Sequence, residues 1–303
     1  MFLTIIIASL LLLFPLCQSI YLDIHVPLPQ RGCLEYQALF ANRLLSSSST
    51  RPVSSPTQTD SDGADASSEQ VDLFNKHTPH ITLYLANFDL EVNNNNNNAL
   101  QQQGADGTDD HHIKLQLNET KVNEFKQTIS SINFTDILIG LQNCHLSFKS
   151  TANDDIFYNI NGSYTMLPIE LTPCLQTLSN SLLHALQSHL HHPIQVPSWV
   201  ANMDEPQRSK AIYRTRQYGS PNVLQAYVPH VTVGYDPSIS NSLTSQWRVD
   251  KMNEWNNLYK QEREHCIDEV QGIALGMTSV GGTVLANSRM GYWIVRSTSS
   301  MSS

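Results

Sequence analysis

Charge is what this chain has little of. Asp, Glu, Lys and Arg make up 15% of its 303 residues, with 18 basic against 27 acidic side chains and a net charge of −9. Such a surface repels polyanions overall, which excludes broad binding of duplex nucleic acid and favours a small phosphorylated substrate or an RNA end. A membrane-spanning run is also lacking: the apolar stretch from Phe2 to Leu16 falls short of the ~20 residues that cross a bilayer. No two cysteines stand at Cys-x-x-Cys spacing, so a zinc site is not expected.

The short apolar stretch has the length of a signal peptide, and the small residues Cys17 and Ser19 around Gln18 predict cleavage after Ser19. It departs from the usual pattern in having no Lys or Arg before the apolar run, and an uncleaved anchor is the alternative. Removal of residues 1–19 leaves no stable membrane span. It also leaves Cys33, Cys144, Cys174 and Cys266, which in an oxidising compartment allow three full pairings that spacing does not choose between. Three sequons, at Asn118, Asn133 and Asn161, are compatible with glycosylation in the secretory pathway, although Asn- and Ser-rich chains acquire such triplets often. The expected location is that pathway, with the protein secreted or held in a vacuolar or organellar lumen.

Two short segments with nearly the same text organise the rest. The first reads Pro79-His80-Ile81-Thr82-Leu83-Tyr84 and the second Pro229-His230-Val231-Thr232-Val233-Gly234-Tyr235. Side chains alternate across a strand, so each His shares a face with the Thr two residues on, while Ile81, Leu83, Val231 and Val233 turn to the other face. Among twelve histidines a single His-x-Thr arises easily by accident. The shared frame of Pro before His, apolar residues at both alternate positions and Tyr soon after marks these two as a pair. Two imidazoles at one phosphate supply a base and an acid, and two hydroxyls supply ligands for its oxygens, with no metal or cofactor required.

Two His-x-Thr strands in a duplicated chain resemble the 2H phosphoesterase superfamily, which includes the 2',3'-cyclic phosphodiesterases and the proteins called 2'-5' RNA ligases. The resemblance is specific at the motifs and diffuse elsewhere. It implies His80 and His230 as the catalytic pair, with His230 the base and His80 the acid, and Thr82 and Thr232 as phosphate ligands. The sequence itself leaves the order of base and acid open. The implied fold is α+β, bilobal and internally duplicated, with two antiparallel sheets and outer helices around a central cleft. Residues 20–297 form that one domain, with disordered insertions at 46–70 and 93–112 and a flexible tail at 298–303.

Local patterns fill in this outline. Tyr21 to Val26 alternates as a first strand, closed by Pro27 and Pro29, and His25 on it reads as structural. Leu34, Ala38, Ala41 and Leu45 stripe a helix. Val122, Phe125, Ile129 and Ile132 stripe another, after a cap at Asn118. Ile137 to Leu141 and Cys144 to Phe148 read as strands. Phe157 to Ile160 and Ser163 to Ile169 flank Asn161-Gly162 as a hairpin. Thr172-Pro173 starts a helix striped by Leu175, Leu178, Leu182, Leu186 and Leu190. His184, His189, His191 and His192 gather around its C-terminal half, where they suit the helix dipole better than they suit a ligand. Leu243, Trp247, Trp255 and Leu258 mark a last helix, Ile273 to Val280 and Thr283 to Leu285 a hairpin, and Tyr292 to Val295 a last strand.

Ser46 to Gln70 and Asn93 to His112 are polar tracts with too little apolar surface to offset their ordering entropy. The pair His111-His112 beside Asp109 and Asp110 reads as solvated loop rather than metal site. The connection from Pro193 to Val228 is long, and long connections are often functional. It holds Arg208, Lys210, Arg214 and Arg216 with Tyr213 and Tyr218, the densest cationic cluster in the chain. With Tyr84 and Tyr235, the residues Arg214, Arg216 and Tyr218 are candidates for substrate contact; a solvated helix face accounts for the cluster equally well.

The expected activity is hydrolysis of a nucleoside or RNA-end 2',3'-cyclic phosphate by a monomer. A 2'-5' phosphodiesterase or RNA-end processing enzyme would use the same four residues. A secreted nucleotide-binding module that turns nothing over is the alternative from another class, and retention of both His and both Thr speaks against it, since binding alone needs no proton donor and acceptor.

Overall fold

The computed structural model describes residues 21–46, 71–90, 117–141, 144–150, 158–161, 163–197, 200–201, 203–235, 242–263, 266–278 and 283–294. The predicted leader, both polar insertions (Ser46 apart), the C-terminal tail and the Gly162 and Gly281-Gly282 turn residues lie outside them. The described chain opens with β1 (Tyr21–Pro27) and α1 (Cys33–Ser46), whose Leu34, Ala38 and Ala41 are fully buried as their spacing predicts. Then come β2 (His77–Thr78) and the first motif strand, β3 (His80–Asn87).

α2 (Glu119–Ser130) begins where predicted, with the Asn118 side chain accepting the Lys121 N–H. α3 (Phe134–Gly140) is a correction, since the sequence predicts a strand over Ile137–Leu141. Asn133 Oδ1 accepts the Asp136 N–H at 3.2 Å and starts a helical turn there, and so short an apolar run carries no period to separate the two forms. Of the strand predicted over Cys144–Phe148, only β4 (His145–Leu146) forms, followed by an isolated bridge from Phe148 to Ile169. β5 (Asn159–Asn161) and β6 (Tyr164–Pro168) are the predicted hairpin arms. α4 (Pro173–Leu186) starts under Thr172, whose hydroxyl accepts the Leu175 N–H.

The long connection that follows is not a loop, because α5 (Gln207–Tyr218) lies within it. β7 (His230–Tyr235) is the second motif strand. α6 (Ser242–Arg263) buries Met252 and Trp255 but leaves Leu258 61% exposed, so its apolar stripe ends earlier than predicted. β8 (Asp268–Glu269), β9 (Gly272–Thr278) and β10 (Val284–Ile294) close the described chain. Two strands are predicted where β10 runs as one, with its pairing to β9 slipping on either side of Arg289. Among the described residues no helix is long and apolar enough to cross a membrane.

The fold is α+β, and the strand pairings are antiparallel throughout. A five-stranded sheet has the order β2-β10-β9-β1-β3, a three-stranded sheet the order β5-β6-β7, and β4 pairs with β8. The two motif strands are therefore edge strands, β3 of the larger sheet and β7 of the smaller. Their ladders agree residue by residue. Pro27 faces His80, Val26 faces Ile81 and His25 faces Thr82, after which the register slips past Leu83. Pro168 faces His230, Leu167 faces Val231 and Met166 faces Thr232, after which it slips past Val233.

A bulged residue leaves a carbonyl outside the ladder, and a buried carbonyl needs a donor. Each of these two finds it on a helix from the other half of the sequence. Ser179 Oγ on α4 donates to the Leu83 carbonyl at 2.7 Å, and Asn42 Nδ2 on α1 donates to the Val233 carbonyl at 2.8 Å. Asn42 also ties down the chain before β2, donating to the Val71 carbonyl and accepting the Leu73 N–H. Both helices are pinned in their first turn by a disulfide: Cys33 pairs with Cys266, and Cys144 with Cys174. Asp268, close to Cys266, accepts the N–H groups of Cys33 and Leu34, so a carboxylate from the far end of the chain caps α1.

The bulge carbonyls supply a stability test. Ser179→Ala leaves the Leu83 carbonyl without its donor and should cost about 1–3 kcal/mol, read as a lowered urea-unfolding midpoint. A variant as stable as the parent would show that the Leu83 carbonyl does not depend on this hydroxyl.

Candidate active site

The motif strands meet edge to edge. Tyr227, just before β7, donates its phenol hydrogen to the Thr82 carbonyl on β3 at 3.0 Å. His80 and His230 are held in one manner: His80 Nδ1 contacts the Thr78 carbonyl at 2.7 Å, and His230 Nδ1 contacts the Val228 carbonyl at 2.9 Å. A carbonyl only accepts, so Nδ1 carries a proton in either charge state and Nε2 is the atom left to exchange one. His80 is 6% exposed, and His230 is more open.

One residue in this group has no counterpart in the sequence reading. Asp23 on β1 is fully buried, and it shares the His80 face because His25, two residues along, stands opposite Thr82. Thr82 Oγ1 donates to Asp23 Oδ2 at 2.6 Å, and His80 Nε2 lies 3.4 Å from the same oxygen. His25 Nδ1 lies 3.6 Å from Asp23 Oδ1, and its ring centroid is 4.9 Å from that of His80. His25 therefore belongs to the site's surroundings, where the sequence gives it a structural place only.

These contacts set the charge states. Burial disfavours the Asp23 anion, but the positive charge of His80 and the approach of the His25 and His80 ring nitrogens outweigh it and hold the carboxyl well below the usual range. Burial likewise disfavours the His80 cation, and the Asp23 carboxylate overrides it, raising His80 above its ordinary value. His230 is lowered chiefly by burial, which outweighs the upward pull of its bond to the Val228 carbonyl; the charge of His80 lowers it further, and that of Asp23 opposes this more weakly. His25 is lowered chiefly by burial. The two motif imidazoles are thus pushed apart, His80 toward the cation and His230 toward the neutral base.

The other candidates scatter. Tyr84 is buried: the bulge at Leu83 breaks the alternation and turns it away from His80 and Thr82, with its hydroxyl donating to the Tyr218 carbonyl at 2.7 Å. Tyr218 supplies that backbone carbonyl and packs against the core. Tyr235 stays on the Thr232 face, where its ring lies 4.9 Å from that of Tyr164, its ladder partner. Burial, with the Tyr235 phenol nearby, pushes the Tyr164 hydroxyl up to about 12.

Arg214 and Arg216, two residues apart on α5, point different ways, since residues on a helix are neighbours at spacings of three and four. Arg214 Nε donates to the Pro221 carbonyl, and Arg216 lines a shallow hollow on the outer side of α5 with Ser209, Ile212, Tyr213 and Gln217. Tyr213 there is 65% exposed, so this part of the cationic cluster is the solvated helix face. In the His-rich stretch, His189 contacts Thr128 Oγ1 and His191 lies 3.9 Å from Asp89, contacts that tie the end of α4 to its neighbours.

No protein-family model matches the chain, and no curated protein matches it. Among solved structures, Usb1 of Kluyveromyces marxianus is similar at 11% identity and a TM-score of 0.37, over 93% of this chain and 100% of that one. Kluyveromyces marxianus Usb1 with uridine monophosphate is similar at 10% identity and a TM-score of 0.39, over 92% and 100%. With TM-scores below 0.5 neither likeness carries an argument about this chain.

The lowered His25 gives a pH prediction with a fixed sign. Its folded value lies below the ordinary 6.5 of a free imidazole, so as pH falls through 6.5 the unfolded chain takes up a proton that the native state refuses, and stability is lost. In urea unfolding, His25→Gln should show a shallower loss of stability than the parent between pH ~7 and pH ~5. Equal slopes would mean that His25 titrates normally in the fold.

Proposed function

We propose that this chain is a phosphodiesterase of the 2H type, which opens a nucleoside or RNA-end 2',3'-cyclic phosphate between His80 and His230. The observation that carries this reading is the shared setting of the two imidazoles. Each has Nδ1 tied to the carbonyl two residues back and stands at the same place in the same bulged ladder, while their charge states are pushed in opposite directions. We read the matched ladders as two halves of a duplicated fold and the meeting of β3 with β7 as the floor of its cleft.

The chemistry follows from those protonation states. Neutral His230 takes a proton from water through Nε2 as the water oxygen bonds to phosphorus. The bond from phosphorus to one ribose oxygen breaks, its electron pair stays on that oxygen, and His80 Nε2 supplies the proton it needs. The product is a phosphomonoester, and the proton left on His230 returns to solvent as His80 is reprotonated. No described residue takes up the Thr232 hydroxyl, which leaves it for a non-bridging phosphate oxygen. Tyr235 and Tyr164 on the same face offer rings against which a base can stack. Two disulfides suit an oxidising lumen, in line with placement in the secretory pathway.

Phosphorus NMR on the four nucleoside 2',3'-cyclic monophosphates, with EDTA present, tests the reading. Turnover to one monophosphate isomer is expected, and His80→Ala and His230→Ala should each lower the rate by about 10²- to 10⁴-fold. The rate should be bell-shaped in pH, with an acid limb from His230 below 6.5 and an alkaline limb from His80 above it. Absence of turnover on these and on 2'-5'-linked dinucleotides, with nucleotide still bound, would make the chain a binding module.

A further inference from the structure

We propose that Asp23 is a positioning residue that makes the two motif strands unequal, fixing His80 as the proton donor and engaging Thr82, so that the phosphate is left to the Thr232 side. This rests on the phosphodiesterase reading and deepens it.

The inequality is visible in the ladders. Past the first bulge Asp23 faces Leu85, and past the second Tyr164 faces Tyr235, so the place that Asp23 holds on β1 is held on β6 by a tyrosine. Among the described residues only the first half puts a carboxylate in contact with its motif histidine. That carboxylate is expensive: ionised groups taken fully out of water lose several kcal/mol of hydration, and an apolar residue in the same place commonly stabilises a fold. Asp23 Oδ1 faces His25 Nδ1 at 3.6 Å, too long for a formed hydrogen bond, so one of the two carboxylate oxygens is left without a strong donor.

Distances decide what the carboxylate does. Thr82 Oγ1 to Asp23 Oδ2 at 2.6 Å is a full charge-assisted bond, and it commits the one proton that Thr82 has. A phosphate oxygen would meet lone pairs there unless Thr82 turned away from Asp23. His80 Nε2 at 3.4 Å is different, being longer than the ~2.7–2.9 Å of a formed N⁺–H···O⁻ bond. At that separation Asp23 acts on His80 through charge, and the Nε2 proton stays free to pass to a leaving oxygen.

The groups around the pair leave Asp23 no other cation. From β1 comes His25, whose cation burial disfavours; from β3 His80 and Thr82; from β7 His230, lowered in turn; and from the segment before β7 Tyr227, whose phenol is raised by burial and by Asp23 itself. β9 and β10 present Gly276 and Ser288 near His25, both without charge. Among the described residues no Lys or Arg pairs with Asp23. The imidazolium of His80 is its one counter-charge.

The test is an NMR titration of the histidine rings in the full mature protein and in Asp23→Asn, which keeps the shape and removes the charge. In the parent, His80 should titrate above 6.5; in Asp23→Asn its midpoint should drop by at least one unit, a tenfold fall in the protonated fraction on the alkaline side. An unmoved midpoint overturns the proposal. If the variant does not fold, ring nitrogen shifts of the parent followed across pH decide instead: a His80 midpoint above that of His230 supports it, and one at or below it overturns it.

Activity supplies a second readout that a merely structural role would not move. Asp23→Asn should lose about tenfold or more on a cyclic phosphate at pH ~8, yet little on a nucleoside p-nitrophenyl phosphate, whose leaving group needs no proton. Equal losses on both overturn the proposal. A parent without turnover on any diester would defeat the phosphodiesterase reading while leaving the titration to judge Asp23 on its own.

Discussion

The structure depends on two carbonyls that the sheets cannot use. Each motif strand carries an extra residue just past its His-x-Thr, and the bulge leaves the Leu83 and Val233 oxygens without ladder partners. Buried oxygens of this kind need donors, and here the donors cross over: α4 serves β3 through Ser179, and α1 serves β7 through Asn42. Each helix thus completes a strand from the other half of the chain. The arrangement holds the two edge strands in one frame, and the Tyr227 bond to the Thr82 carbonyl joins them directly. Locating two imidazoles on separate sheets around one small group requires such a frame, since a displacement of about an ångström is enough to cost a reaction much of its rate.

Within that frame, near-identity of backbone makes differences of side chain informative. Both histidines are oriented by the same bond to a carbonyl two residues back, so orientation does not set them apart. Charge does. A carboxylate beside His80, and a second imidazole in place of one beside His230, separate two groups that would otherwise titrate together. The chain's overall acidity fits this economy. With a net charge of −9 and no Lys or Arg paired to Asp23 among the described residues, the positive charge beside this carboxylate is the His80 imidazolium, and under the proposed reading it is the charge that would meet a phosphate.

The sequence made legible whatever depends on period and local bonding. His80 with Thr82 and His230 with Thr232 were readable because alternation on a strand is a two-residue rule, and the starts of α2 and α4 were readable because Asn118 and Thr172 cap within three residues of themselves. Ile137 was misread because a few apolar residues do not show a period. Tyr84 was misread because a bulge shifts the face of everything after it, and alternation does not announce bulges. Asp23 was invisible for another reason: in Tyr21-Leu22-Asp23-Ile24-His25 a polar residue at every second place reads as a solvent-facing side. Only the burial of Asp23 and His25 in the folded chain shows that this face is covered.

The disulfides bear on the site through the same crossing helices. Cys33 is the first residue of α1 and Cys174 the second of α4, so each bridge fixes the start of a helix whose later turn supplies a bulge donor. Holding one end of a rigid rod limits the swing of the rest, and Asn42 and Ser179 are within three turns of the pinned ends. The bridges also close loops in the unfolded chain and so raise its free energy, which helps to offset the burial of a carboxylate and three imidazoles near one another. A site that spends stability on unpaired polarity is held in place by covalent bonds at the helices that shape it.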